Sequence, residues 1–185
     1  MADRKINAVM STSAGRLFDG VSAILGIRRK STFEGEASMA LEFVAEEYQK
    51  NRLKNAKKMP EIPTYELLKE GNDRLLLNTG SLIKEILYRR LNGEDSDRLA
   101  YIFHQELARQ ITASCVKIRE QSGCNKAALS GGVFQNRLLL ELTDHMLKQQ
   151  GFEVLKHQLV PPNDGGIALG QAVYAMAYLD RNRNK

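Results

Sequence analysis

One stretch constrains the fold more than any other: Ala127-Ala128-Leu129-Ser130-Gly131-Gly132-Val133-Phe134-Gln135-Asn136-Arg137-Leu138-Leu139-Leu140-Glu141. A short apolar run ends in Ser-Gly-Gly, and apolar residues at helical spacing begin directly afterwards. That order predicts a buried strand, a tight turn and a helix N-terminus. Two adjacent glycines remove the Cβ atoms that would hold a ligand off the backbone, and the first N–H groups of a helix carry the positive end of its dipole. Phosphate suits such a turn. A strand-to-helix connection that needs φ > 0 and binds nothing has the same sequence, so the glycine pair alone leaves both readings open.

The rest of the chain supplies a frame for this turn. Arg137 to Gln150 predicts a helix stopped by Gly151, followed by a short strand over Phe152 to Leu155. Val160 to Gln171 is loop chemistry that leads into a small-residue helix ending near Leu179. Strand, helix, strand, helix is the order of a parallel unit with a right-handed crossover. Upstream, Ala14, Leu17, Phe18, Val21, Ile24 and Leu25 recur at three and four, with Gly26 as the stop. Ser31-Thr32 before Glu34 and Glu36 reads as a helix start, with helix continuing to about Asn51. Arg52 to Pro63 is charged and proline-bounded, a surface connection, and Met1 to Met10 carry no pattern. A brief strand over Asp73 to Asn78, a helix over Gly80 to Leu91 broken by Asn92-Gly93, and a long helix over Ser96 to Gln121 complete the reading. The class is α/β and helix-rich.

Length and charge narrow the function classes. A chain of 185 residues suits one substantial domain, and its 43% hydrophobic and 26% charged residues are ordinary globular composition, which excludes wholesale disorder. The net charge of +5 lies largely in Arg52, Lys54, Lys57 and Lys58 and in the Arg181 to Lys185 tail, which reads as solvated surface rather than an RNA site. Nucleic acid is therefore not an expected partner. Cys115 and Cys124 match no zinc or redox spacing. No run approaches a membrane span and no signal core opens the chain, so a reduced, cytoplasmic protein is expected.

Several polar residues stand beside these elements. Asp19 follows Phe18 at the edge of the first helical stripe, where a carboxylate is ordinarily solvated. Gly35 and Glu36 fit an ordinary helix start. In Asn163-Asp164-Gly165-Gly166, either acidic or amide side chain can cap the last helix. His104, His145 and His157 show no four-residue metal spacing and read as surface or hydrogen-bonded histidines.

Leu129 to Glu141 resembles the glycine motif of the HypF hydrogenase-maturation carbamoyltransferases. Two further anchors, Thr12 to Gly26 and Val160 to Gln171, resemble the same family in the same order, so the likeness covers nearly the whole chain. It implies one RNase H-like lobe of the actin-like, sugar-kinase and Hsp70 ATPase superfold. Residues 1–185 would then be a single domain, the C-terminal lobe of a HypF- or TsaD-like carbamoyltransferase domain. The resemblance puts Ser130, Gly131 and Gly132 near the phosphates of ATP or carbamoyl adenylate and Asn136 near the nucleoside. Asp19 falls at the ribose, whose two hydroxyls a carboxylate can accept, with Gly35 and Glu36 close to the nucleotide. It also makes Asp164 a ligand of zinc or iron, in a site that two histidines complete.

The family's His-x-x-x-His pair and its Val-Gln-His-His-His-Ala-His stretch have no counterpart here. The implied partners are therefore the missing N-terminal half of the same domain and HypE, whose C-terminal cysteine receives the carbamoyl group. Transfer is not expected from this chain alone. Two alternatives stay open: a lobe of a TsaD-like tRNA threonylcarbamoyl transferase, and a non-catalytic nucleotide-binding or partner-docking module.

Overall fold

The computed structural model describes residues 11–55, 65–70 and 74–183, with backbone alone at 68–70 and 74. The expectations for Met1 to Met10 and for most of the Arg52 to Pro63 connection lie outside the described residues. In chain order the elements are α1 (Ala14–Ile24), α2 (Glu36–Lys54), β1 (Leu68–Glu70), β2 (Arg74–Leu76), α3 (Thr79–Leu91) and α4 (Ser96–Ser122). There follow β3 (Lys126–Leu129), α5 (Arg137–Gln149), β4 (Glu153–Lys156) and α6 (Ile167–Arg183), with 3₁₀ turns at Gly132–Gln135 and Asp164–Gly166. The chain groups into two compact units, Met1–Pro60 with Ile83–Tyr101, and Glu61–Leu82 with Ile102–Lys185.

In the first unit α1 packs on α2. Ser13 caps α1 by accepting from the Arg16 N–H at 3.5 Å, and Gly26 ends it in the left-handed region at φ 75°. Phe18 and Val21 from α1 and Leu41 and Ala45 from α2 are fully buried, as the apolar spacing predicts. The Ser96 hydroxyl donates to the Leu25 carbonyl at 2.9 Å, tying the start of α4 to the end of α1.

The second unit is built on β3–α5–β4. β3 and β4 run parallel, with Lys126 opposite Glu153 and Leu129 opposite Lys156. Ala127, Leu129, Leu147 and Phe152 form a small core, with Cys115, Val116, Phe134, Leu140 and Val154 packed against it. Arg119, near the end of α4, closes one end: Nη1 donates to Asn125 Oδ1 at 2.9 Å and to the Gln150 carbonyl at 2.7 Å. Its guanidinium lies 4.3 Å over the Phe152 ring. β1 and β2 form a separate antiparallel pair, of which the sequence reading contained only the second strand.

Two departures from the sequence reading matter below. A 3₁₀ turn over Gly132–Gln135 stands between Gly131 and α5, and Asn136 in extended backbone caps α5 itself. Gly131 and Gly132 therefore do not open α5. In addition, α6 runs past Leu179 to Arg183.

Candidate functional site

The parallel register of β3 and β4 brings the residues beyond their C-terminal ends side by side, the edge at which α/β sheets bind ligands. Ser130 follows β3 and His157 follows β4, and the Ser130 Oγ lies 2.8 Å from the His157 Nε2. Gly131 comes next with φ 102° and ψ 157°, a region essentially restricted to glycine. Its N–H donates to the Pro162 carbonyl at 2.8 Å, which joins the glycine turn to the Val160 to Gly166 loop. Gly132 differs. It lacks positive φ, and a Cβ there would meet only Asn163 Cβ at 3.9 Å and Gln135 Oε1 at 4.0 Å, ordinary contact distances. Among the described residues nothing requires glycine at 132.

The facing loop is tight. Asn163 Oδ1 accepts from the Gly165 N–H at 3.1 Å and caps the turn at Asp164–Gly166. A Cβ on Gly166 would fall 2.8 Å from the Pro161 carbonyl oxygen, so steric room alone demands glycine there. Asp164 opens this turn as a lone carboxylate. Among the described residues no group of three or more His, Cys, Asp and Glu could hold a metal ion, so the residues present do not by themselves fit the expected zinc or iron.

Asn136 is more deeply committed than its sequence position suggests. It is buried, and its Oδ1 caps α5 by accepting from the Leu139 N–H at 2.8 Å. That bond orients the amide, so Nδ2 is the atom 3.0 Å from His104 Nε2 and donates to it. His104, fully buried on α4, must present a bare Nε2 to Asn136. The expectation that His104 is a hydrogen-bonded histidine holds, and its partner anchors the helix after the glycine turn.

A cavity of about 120 Å³ adjoins the turn, lined by Leu129, Phe134, Gln135, Lys156, His157 and Pro162. The Lys156 ammonium is held by Asp144 Oδ2 at 2.8 Å, and Lys148 reaches the same oxygen at 2.9 Å. Burial raises the Asp144 carboxyl, but its hydrogen bonds and charge attraction to Lys156 and Lys148 outweigh this and leave it below its ordinary value of 3.8.

In the first unit Asp19 is a quarter exposed, pairs with Arg16 at 2.8 Å and accepts from the Ser38 hydroxyl at 3.1 Å. It bridges α1 to α2 rather than standing free in solvent. Gly35 caps α2 in the left-handed conformation at φ 82°, with open space around its Cα. Glu36 folds back, accepting from the Thr32 N–H at 2.5 Å and the Thr32 hydroxyl at 3.1 Å, and pairing with Arg28 at 3.2 Å. The Thr32 N–H is the main cause that holds its carboxyl below the ordinary 4.5. A separate depression of about 420 Å³, lined by Tyr88, Arg89, Asn92, Glu94 and Arg98, contains none of the residues chosen from sequence. Its arginines are paired with Glu85 and Glu94.

The structure thus assembles Ser130, Gly131 and Gly132 with the Asn163-Asp164 loop in one unit, and Asp19 with the start of α2 in the other. The sequence reading missed His157, Ser38 and Arg16. Parallel pairing of β3 with β4 is the signal that places His157 beside Ser130.

Comparison with known proteins gives these features a family context. A family described as the second subdomain of the Kae1-like domain of carbamoyltransferases matches residues 1–171. A probable carbamoyltransferase HypF from Methanocaldococcus jannaschii is 35% identical over 180 residues, covering 97% of this chain and 21% of that protein. Carbamoyltransferase HypF from Rhodobacter capsulatus is 36% identical over 184 residues, covering 98% of this chain and 22% of that one. A solved full-length HypF in the phosphate- and nucleotide-bound form matches with a TM-score of 0.80 at 38% identity, over 96% of this chain and 22% of its own. The chain spans about a fifth of the length of these relatives. The helix-rich α/β class expected from sequence is the class of this chain, which matches that HypF structure.

Proposed function

Because the chain belongs to the HypF carbamoyltransferase family, as part of its Kae1-like domain, we propose that it supplies the nucleotide-binding portion of a HypF-type carbamoyltransferase. The substrate of the whole enzyme would be ATP or the carbamoyl adenylate made from it, and the acceptor the C-terminal cysteine of HypE, a step in [NiFe]-hydrogenase maturation. The tRNA-modifying alternative is not favoured, since the relatives above are HypF proteins. The observation that carries the proposal is the glycine turn beyond the ends of β3 and β4. Among the described residues nothing demands glycine at 132, which fits a residue kept small for a ligand.

Ser130, Gly131 and Gly132 are the proposed phosphate contacts of the second unit. In the first unit Asp19 is the proposed acceptor for ribose hydroxyls, and Gly35 and Glu36 are further candidates for nucleotide binding. Asn136 would serve it by fixing the turn, since its amide is occupied at both ends. Asp164 would contribute one ligand to a metal site whose other ligands lie elsewhere, and no step is assigned to that metal here.

Two features fit a lobe that needs a remainder of the same protein. The parallel sheet of the second unit has two strands of four residues, short of what a parallel sheet buried on both faces requires. Helix α6 exposes apolar residues on all sides. Both fit an RNase H-like lobe completed by further strands. A cytoplasmic setting belongs to the same reading: Cys115 and Cys124 are unpaired, and among the described residues no helix is long and apolar enough to cross a membrane.

The test is a transfer assay with carbamoyl adenylate and HypE. The chain alone should leave the HypE cysteine unmodified, and adding the preceding portion of a HypF relative should yield the carbamoylated thiol by mass spectrometry. Transfer by the chain alone would overturn the proposal.

A further inference from the structure

We infer that His157 is a positioning residue for the phosphate subsite, holding the Ser130 hydroxyl so that it donates to a phosphate oxygen at the Gly131-Gly132 turn. This rests on the nucleotide reading above, and it adds a residue outside the glycine motif. The direction of the 2.8 Å bond between Ser130 Oγ and His157 Nε2 decides what the hydroxyl can do. If Nε2 is bare, Ser130 must spend its proton on the ring and turn oxygen lone pairs towards the ligand, which repels an anion. If Nε2 carries the proton, Ser130 accepts from the ring and its own O–H is free to reach a phosphate oxygen. A phosphate ester in the site is compatible with the second arrangement.

The surroundings make this donor matter. The Gly131 N–H is already given to the Pro162 carbonyl, and the neighbouring Lys156 ammonium is held by Asp144. The Ser130 hydroxyl is a donor at the turn that a ligand can still use. A nucleophilic role for the same pair fits less well. A serine nucleophile needs its histidine oriented by a third group, and among the described residues Ser130 is the one hydrogen-bond or ion-pair partner of His157. His157 also lines the cavity of about 120 Å³ beside the turn, together with Phe134 and Pro162.

The first experiment reads the proton itself. Long-range ¹H–¹⁵N NMR of the histidine-labelled chain, with His157→Gln to assign the ring signals, should show a protonated Nε2. A bare Nε2 with the proton on Nδ1 overturns the inference, whether or not the chain binds nucleotide. The second is calorimetric titration with ATP. His157→Ala and Ser130→Ala should each weaken binding about tenfold, and the double variant should lose little more than either single one, because the two act as a unit. His157→Gln keeps an N–H near the position of Nε2 and should bind within about threefold of the parent. Equal affinity of parent and His157→Ala overturns the inference. If neither parent nor variants bind ATP, the phosphate role assigned to His157 falls together with the nucleotide reading of this chain.

Discussion

Two helices of the second unit each follow a 3₁₀ turn with adjacent glycines, and their environments are opposite. α5 buries Leu138, Leu139, Thr143 and Leu147 on one stripe and shows Arg137, Glu141 and Lys148 to water. α6 buries none of its residues: Val173 is 58% exposed, Tyr174 73% and Met176 66%. An amphipathic stripe finds its core within the chain, whereas a helix apolar on every side ordinarily lies in an interior. The difference separates a helix that packs on the chain's own core from one whose apolar residues find no cover among the described residues. The glycines differ in the same way. Gly166 is demanded by the Pro161 carbonyl, while Gly132 meets no such demand among the described residues.

The comparison can be broken by mutation, beginning with the core. Leu147→Ala on α5 should cost about 2–5 kcal/mol in urea unfolding, because a fully buried leucine leaves a cavity. Leu169→Ala on α6 should change stability by about 0.5 kcal/mol or less; a loss as large as that at Leu147 would mean α6 is already packed in solution. Next is Asn136→Ala, which removes the cap of α5 and leaves the buried His104 Nε2 without its donor. The expected cost is about 2–4 kcal/mol, a cap plus an unsatisfied buried acceptor.

Two smaller effects concern pH. Glu106 is fully buried on α4, with Arg109 at 2.9 Å and Gln110 donating at 3.3 Å. Burial raises its carboxyl above the ordinary 4.5 despite Arg109. A raised folded value means that this stabilising contribution is complete below about pH 4.5 and is lost as pH rises through the folded value. Glu106→Gln should flatten that slope and, at neutral pH, shift stability by about 1 kcal/mol or less, since Arg109 can turn to water. Asp144 has the opposite sign. Its lowered folded value gives stability that is present above pH 3.8 and lost as pH falls through the folded value. Asp144→Asn should remove about 0.5–1 kcal/mol at neutral pH and nothing in strong acid, by urea unfolding at each pH.

Much of the helical frame was legible because its signals are local. The three-and-four spacing from Ala14 to Leu25 and the Gly26 stop set α1 to within a residue, and the long apolar pattern set α4. Ser-Gly-Gly located the turn, and φ at Gly131 has the sign the sequence implied. What escaped was set by partners distant in sequence. Ser130 and His157 are 27 residues apart and meet only because two strands pair in parallel. Asn136 is placed near the nucleoside by resemblance alone, and its cap on α5 and its bond to His104, 32 residues away, are visible only in the fold. Asp19 looked like a solvated edge residue, and its partner from outside α1, Ser38 of α2, lies 19 residues away.

The most direct test of the nucleotide claim is calorimetric titration of the chain with ATP, repeated with Asp19→Ala. Binding that weakens at least tenfold in the variant, about 1.4 kcal/mol, is the predicted result. Equal affinity of the two proteins would contradict the assignment of Asp19 to the nucleotide.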